Sequence, residues 1–200
     1  QAYKVKETSL GDPSFVNFDL DEILSDKNIE DIFNKINLNS CSDVGDLNIP
    51  AHPETIYLTV VDKDLNSVSI INSVCYVFGS GITTNKSGIL LHNRGTNFRV
   101  EHGHPNCIEG LKRPLHTIIP GMVIDKDNNV TLSYGVMGGQ YQPVGQVHVL
   151  NNMIDYGMGP QEALSFPRAF HFNNIYKLEK SVDNQIFNEL KEIGLNVEYI

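Results

Sequence analysis

Apolar residues follow two different spacings along this chain, and the spacing changes near residue 55. Between residues 18 and 36 they recur every three or four positions, which predicts one or two amphipathic helices. The same spacing returns in the C-terminal third of the chain, in VGQVHVLNNMIDYG, PQEALSF and VDNQIFNELKEIG, which are predicted to be helices. The helical segments therefore lie on both sides of a region with a different pattern.

That region predicts two β-hairpins. Residues 55–77 are rich in β-branched and aromatic side chains on both sides of a polar turn at 62–66. Residues 122–124 and 130–134 flank a similar turn at 125–129. Short hairpin turns, in place of helical crossovers between strands, indicate antiparallel sheets layered with helices, an α+β fold.

Between the first helices and the first hairpin lies a segment of linker composition. Residues 37–54, NLNSCSDVGDLNIPAHPE, are rich in Asn, Ser, Asp, Gly and Pro. Such composition is typical of an exposed segment that proteases can cut. The sequence predicts a cleavable linker that ends at Glu54.

Composition narrows the class of protein. The 200 residues, 40% hydrophobic and 20% charged, predict one compact unit. A net charge of −9 without any run of Lys or Arg argues against a nucleic-acid partner. No apolar stretch approaches the roughly 20 residues that span a bilayer, so we expect a soluble protein, with the cytoplasm slightly favoured over export.

The cysteines and histidines do not indicate a metal site or a cofactor. Three cysteines, far apart and without CxxC spacing, predict neither a disulfide framework nor a zinc knuckle. The segment His102-Gly103-His104, with His92 and His116 elsewhere, lacks the helical spacing of a ligand pair. We therefore predict no metal and no cofactor.

A series of short motifs resembles a known family. The strand and turn TIYLTVVDKD are followed or preceded by six further blocks in the family's order. These are LGDPSFV (10–16), FGSGI (78–82), SGILLHNRGTNF (87–98), KRPLHTIIPGMV (112–123), GVMGGQ (135–140) and IDYGMGPQEALSFPR (154–168). The series resembles the γ-glutamyltransferase family of N-terminal-nucleophile hydrolases, and the NRG form resembles its cephalosporin-acylase-like branch.

The resemblance implies a fold and a subunit structure. It implies a four-layer αββα sandwich, with residues 1–54 as the tail of a large subunit and 55–200 as most of the small, catalytic one. The rest of the large subunit and further strands would then lie outside the printed sequence. A homo-oligomer is left open.

The resemblance also implies catalytic residues. Cutting the Glu54–Thr55 bond would make Thr55 the nucleophile, with its new α-amine as base, since such an amine has a pKa near neutrality. Ser73 stands where the family has a second Thr that orients the nucleophile. Gly138 and Gly139 match the paired glycines whose N–H groups bind the oxyanion of the tetrahedral intermediate.

Substrate contacts depart from the family pattern at three places. Cys75 replaces an Asn that helps to hold the substrate carboxylate. Arg94 and Asn97 stand where an acidic pair or a Gln–Asp pair grips the glutamyl α-ammonium, and His116-Thr117 replaces a Ser pair. An Arg94 that points into the site would disfavour a γ-glutamyl group by charge repulsion, whereas an outward Arg94 would not.

These substitutions leave two functions open. The first is an amidohydrolase or acyltransferase acting on a small γ-glutamyl or related dicarboxylic amide, with a glutaryl-type donor preferred. The alternative is an uncut, catalytically silent paralogue that serves as a binding protein. Cleavage distinguishes them, because an uncut Thr55 has no free amine.

Overall fold

The computed structural model describes residues 2–41, 54–172 and 174–200, and only the backbone of Glu54. The helices are α1 (Ala2–Ser9), α2 (Leu20–Ile23), α3 (Asp26–Phe33), α4 (Gln142–Ile154), α5 (Pro160–Ser165) and α6 (Asn184–Glu192). The strands are β1 (Glu54–Val61), β2 (Ser67–Cys75), β3 (Gly121–Ile124), β4 (Val130–Tyr134), β5 (Ala169–Phe172), β6 (Ile175–Leu178) and β7 (Val197–Tyr199). The predicted α+β class is confirmed. Most of the predicted linker, residues 42–53, lies outside the described residues.

The described chain divides into two compact units, where its length predicted one. The first consists of Gln1–Ile49, Phe98–Leu115 and Pro167–Ile200, and the second of Pro50–Asn97 and His116–Phe166. Chain length counts residues and not their contacts, so it could not reveal units assembled from distant segments. The first unit combines residues from both sides of the Glu54–Thr55 bond, and the subunit boundary stays a prediction.

The first unit contains the helices predicted from residues 18–36. Side-chain caps separate them: Asp19 accepts the N–H of Glu22 and starts α2, and Ser25 accepts the N–H of Asn28 and starts α3. The unit also has a three-stranded sheet in the order β5-β6-β7, which the pattern did not predict. Its β6–β7 pair is parallel, unlike the other strand pairs of the described chain.

An ion pair ties the N-terminal segment to residues 98–115 within the first unit. The buried carboxylate of Asp12 accepts three hydrogen bonds from Arg113: from the backbone N–H at 2.8 Å, from Nε at 3.0 Å and from Nη2 at 2.8 Å. These bonds hold the pKa of Asp12 well below its ordinary value of 3.8. The LGDPSFV motif is therefore a structural anchor.

The second unit contains the two predicted hairpins, and both are confirmed. β1 pairs antiparallel with β2, and β3 with β4. Each turn closes on an aspartate, since Asp62 accepts the N–H groups of residues 64 and 66 and Asp125 those of 127 and 129. The hairpins contact each other through Ser133, which hydrogen-bonds at 2.9 Å to both Tyr57 and Thr59.

The other face of the first hairpin is apolar and exposed. Its side chains are Ile56, Leu58, Val60, Val68 and Ile70. A continuous apolar surface of this kind is one that folded proteins cover with another element. That residues outside the printed sequence cover it stays a prediction. No helix in the described part of the chain is long and apolar enough to cross a membrane.

Candidate active site

Thr55 stands opposite Ser73 at an irregularity of the first hairpin. Glu54 pairs with Cys75 and Ile56 with Asn72, so one residue of β1 faces two of β2, Ser73 and Val74. This is a β-bulge, a feature that recurs beside active sites because it redirects a side chain. The two predicted hydroxyl residues are therefore neighbours.

The bulge is held by Ser73 itself. Its Oγ accepts the backbone N–H of Cys75 at 2.9 Å. Cys75 is buried and adopts φ +82°, a conformation that a residue with a Cβ rarely takes. The predicted substrate residue Cys75 thus ends β2 in a constrained backbone, two positions from Ser73.

Arg94 is brought to the end of β2 by the loop before it. Asn93 donates its backbone N–H to the Val74 carbonyl at 3.2 Å, and its side-chain oxygen accepts the N–H of Tyr76 at 3.1 Å. The N–H of Arg94 donates to Nδ1 of His92 at 3.1 Å. Arg94 then begins a 3₁₀ helix, Arg94–Asn97, that the half-buried Asn97 ends.

The Arg94 side chain points inward. It is 4% exposed, and its guanidinium donates to the Thr117 hydroxyl at 3.3 Å and, weakly, to the Ser73 carbonyl at 3.5 Å. No Asp or Glu of the described residues forms an ion pair with it. A buried cation without a counter-charge creates a positive potential that favours an anionic ligand.

His116 adds a titratable ring beside this cation. Partial burial, followed by the charges of Arg94 and His92, lowers the pKa of His116 below its ordinary value of 6.5. Its Nδ1 accepts the N–H of Ile118 at 3.2 Å. The ring is therefore neutral at neutral pH, and protonation would place a second cation near Arg94.

Gly138 and Gly139 form the turn between β4 and α4. Both have positive φ, +109° and +54°, so the turn requires glycine at both positions. Among the described residues, neither N–H donates a hydrogen bond to the protein. Gly135, just before this turn, packs against the ring of Tyr57, two residues after Thr55 on β1. The two N–H groups are thus unused donors on a turn that follows a strand packed on β1.

Sequence reasoning missed two buried glutamines that contact this site. Gln142 and Gln146 of α4 hydrogen-bond to the backbone of Ile119, two residues after Thr117. The predicted helix VGQVHVLNNMIDYG begins at Val144 and contains Gln146 but not Gln142, so the sequence pattern did not show the two as one helical face.

No metal centre is evident in the part of the chain that the structure describes, where no group of three His, Cys, Asp or Glu side chains could hold an ion. The HGHP segment, considered above for a metal, has structural contacts. Nε2 of His104 donates to the Glu7 carbonyl at 2.7 Å, and Nδ1 accepts the N–H of Asn106 at 3.0 Å. This histidine supports the loop within the first unit.

Solved structures share the fold. The chain superposes along its whole length on 36% of cephalosporin acylase from Bacillus halodurans, with a TM-score of 0.86 and 31% identity. A structure of acivicin-inhibited gamma-glutamyltranspeptidase matches 72% of this chain and 83% of that chain, with a TM-score of 0.64 and 28% identity. The predicted N-terminal-nucleophile hydrolase fold is confirmed.

Sequence relatives are enzymes of the same group. The chain is 37% identical over 168 residues to the glutathione hydrolase-like YwrD proenzyme of Bacillus subtilis (strain 168), covering 82% of this chain and 30% of that protein. It is 29% identical over 206 residues to the oxamate amidohydrolase proenzyme of Klebsiella pneumoniae, covering 100% and 38%. The chain thus spans about a third of the length of these curated relatives. A sequence model of the family described as gamma-glutamyltranspeptidase matches residues 1–199, and the chain belongs to that family.

Proposed function

We propose that Thr55 is the nucleophile of an amide hydrolase or acyltransferase that matures by cleavage of its own Glu54–Thr55 bond. The observation that carries this proposal is the bulge that sets Thr55 opposite Ser73, whose hydroxyl and carbonyl are fixed by Cys75 and Arg94. A hydroxyl beside a second, fixed hydroxyl can be oriented for attack.

Maturation uses the same hydroxyl as catalysis. Oγ of Thr55 attacks the Glu54 carbonyl carbon, the peptide C–N bond breaks, and the nitrogen leaves as the α-amine of Thr55. Water hydrolyses the resulting ester, which releases the Glu54 carboxylate and restores the hydroxyl. The relatives that are named proenzymes support such a step, as does a gamma-glutamyltranspeptidase whose C-terminus has critical roles in autoprocessing.

The cut would separate a large-subunit tail, residues 1–54, from a small subunit that begins at Thr55. Residues 55–200 are about 73% of the chain, close to the 72% that matches the acivicin-inhibited enzyme. The agreement supports the proposed boundary.

In the catalytic cycle the α-amine takes the hydroxyl proton of Thr55 as its oxygen attacks the amide carbonyl of the substrate. The N–H groups of Gly138 and Gly139 bind the oxyanion that forms. The α-ammonium then protonates the leaving amine as the C–N bond breaks, and the acyl group passes from Thr55 to water or to another amine.

The acyl group that this site fits best is dicarboxylic and lacks an α-ammonium. The buried Arg94 would repel an ammonium about 4 Å away by about 4 kcal/mol at an effective dielectric of 20, whereas it attracts a carboxylate. A glutaryl-type amide satisfies this requirement.

Hydrolysis of two chromogenic amides tests the proposal. The full-length mature protein is assayed with glutaryl-p-nitroanilide and γ-glutamyl-p-nitroanilide, with Thr55→Ala as the blank. We expect a larger kcat/KM for the glutaryl compound and no release by Thr55→Ala. Equal or slower glutaryl hydrolysis contradicts the acyl preference, and hydrolysis of neither amide favours the silent binding protein.

A further inference from the structure

Two buried glutamines of α4 hold one peptide unit of the segment before β3. The backbone N–H of Ile119 donates to Oε1 of Gln142 at 3.3 Å, and Nε2 of Gln146 donates to the Ile119 carbonyl. Gln142 is completely buried and Gln146 is 7% exposed. Because the glutamines lie one helical turn apart, they project from the same face of α4. We name this pair of contacts the glutamine clamp.

The clamped segment has no regular secondary structure of its own. Residues 116–120 belong to no helix or strand. A half-buried backbone without a strand neighbour needs other partners for its N–H and C=O groups. The side chains of Gln142 and Gln146 supply them at Ile119, so the position of this segment depends on α4.

The clamp holds Ile119, two residues after Thr117, which contacts the candidate acyl-binding residue Arg94. Thr117 accepts the hydrogen bond of Arg94 at 3.3 Å, and His116 precedes it. Only Ile118 separates Thr117 from Ile119, which limits how far Thr117 can move while Ile119 is held. Arg94 in turn contacts the carbonyl of Ser73, opposite Thr55. Hydrogen bonds and the short segment from Thr117 to Ile119 therefore connect α4 to Ser73 near the end of β2.

We propose that Gln142 and Gln146 are positioning residues for the acyl donor, because they fix Ile119 and so hold Thr117 against Arg94. The role in binding the acyl donor rests on the proposed function. The hydrogen bonds of the clamp do not depend on it. Loss of either glutamine releases the 116–119 segment and weakens binding of the anionic acyl group. Gln142 contacts the Gly138-Gly139 turn through its backbone N–H, which donates to the Gly139 carbonyl and is kept when the side chain is replaced, so the chemical step should change little.

The chain offers a matched control on the same helix. Asn152 is as deeply buried as Gln146 and hydrogen-bonds to the Ala163 carbonyl and to His148, away from Ile119. Asn152→Leu removes a buried amide of α4 without touching the clamp. Gln142→Glu keeps an oxygen acceptor for the Ile119 N–H and serves as the conservative variant, whereas Gln142→Met and Gln146→Met remove one clamp bond each.

Hydrogen exchange and kinetics on the full-length protein test the proposal together. We expect roughly three- to tenfold faster exchange of the Ile119 amide in Gln142→Met and Gln146→Met, the range set by loss of one net hydrogen bond. KM for glutaryl-p-nitroanilide should rise by a similar factor in both, with kcat within about twofold of wild type. Gln142→Glu should restore slow exchange, and Asn152→Leu should change neither quantity.

Unchanged exchange at Ile119 in both methionine variants overturns the clamp, whether or not the protein hydrolyses amides. Faster exchange with an unchanged KM, or an equal rise of KM in Asn152→Leu, overturns the positioning role. If the wild type hydrolyses neither amide, the proposed function is contradicted and the positioning role with it. Hydrogen exchange at Ile119 then still tests whether the clamp itself exists.

Discussion

Arg94 donates a hydrogen bond from its buried guanidinium to the hydroxyl of Thr117, 3.3 Å away, across 23 residues of chain. None of the described carboxylates neutralises that guanidinium through an ion pair. The site therefore combines a fixed positive charge with the Thr55 and Ser73 hydroxyls, an arrangement suited to an acyl group that ends in a carboxylate.

Removing this charge should change which amide is preferred. In Arg94→Gln, kcat/KM for glutaryl-p-nitroanilide should fall by about tenfold or more, because a charge-assisted hydrogen bond is worth about 1.5–3 kcal/mol. The γ-glutamyl compound should lose less or gain. Arg168→Gln, in the first unit, is the control. A parallel fall for both amides would assign Arg94 a purely structural role.

Ser73 should contribute to the rate through its hydroxyl. Ser73→Ala removes the group that accepts the Cys75 N–H at 2.9 Å and lies opposite Thr55. We expect kcat to fall roughly three- to tenfold, since a net hydrogen bond is worth about 0.5–1.5 kcal/mol. Ser73→Thr, which keeps the hydroxyl, should retain activity. Single-turnover rates measure this, and equal rates in the alanine and threonine variants would contradict it.

Substituting the paired glycines tests whether their turn contributes to catalysis beyond the backbone strain that a Cβ introduces. Gly138→Ala forces a Cβ into a backbone at φ +109° and should reorient the donors of the turn. We expect kcat to fall by about tenfold or more. Gly194→Ala, at φ +93° in the first unit with open space around its Cα, imposes comparable strain. If both variants lose activity equally, the turn has no special part in catalysis.

The Asp12–Arg113 pair should make stability sensitive to acid. The pKa of Asp12 is lowered in the folded protein, chiefly by the Arg113 side chain, so its contribution is complete above the unfolded value of about 3.8. That contribution is lost as pH falls towards the folded pKa. Thermal unfolding between pH 7 and 2 should show a lower Tm for Asp12→Asn at pH 7 and a gap that narrows in acid. A constant gap would contradict this.

Local chemistry explains which elements could be predicted. The turns at Asp62 and Asp125 close through their own side chains, and both hairpins followed from sequence. The sheet β5-β6-β7 did not, because its strands are three or four residues long and its parallel pair joins Tyr176 to Val197, far apart in sequence. Helix α1 carries no buried residue that would produce a periodic pattern.

The candidate site also combines residues that the sequence indicated with residues that it did not. The motifs indicated Thr55, Gly138 and Gly139, whose roles stay predictions. Sequence alone left the direction of Arg94 open, because its burial depends on contacts with Thr117 that no spacing rule gives. The glutamine clamp was missed for the same reason.

Cleavage before Thr55 is the central claim, and intact-mass spectrometry of the purified full-length protein tests it most directly. We predict that the wild type yields two chains whose masses place the cut between Glu54 and Thr55, while Thr55→Ala stays whole. A wild type that stays whole under the same conditions, or a Thr55→Ala variant that is cut at the same bond, would contradict a nucleophilic Thr55.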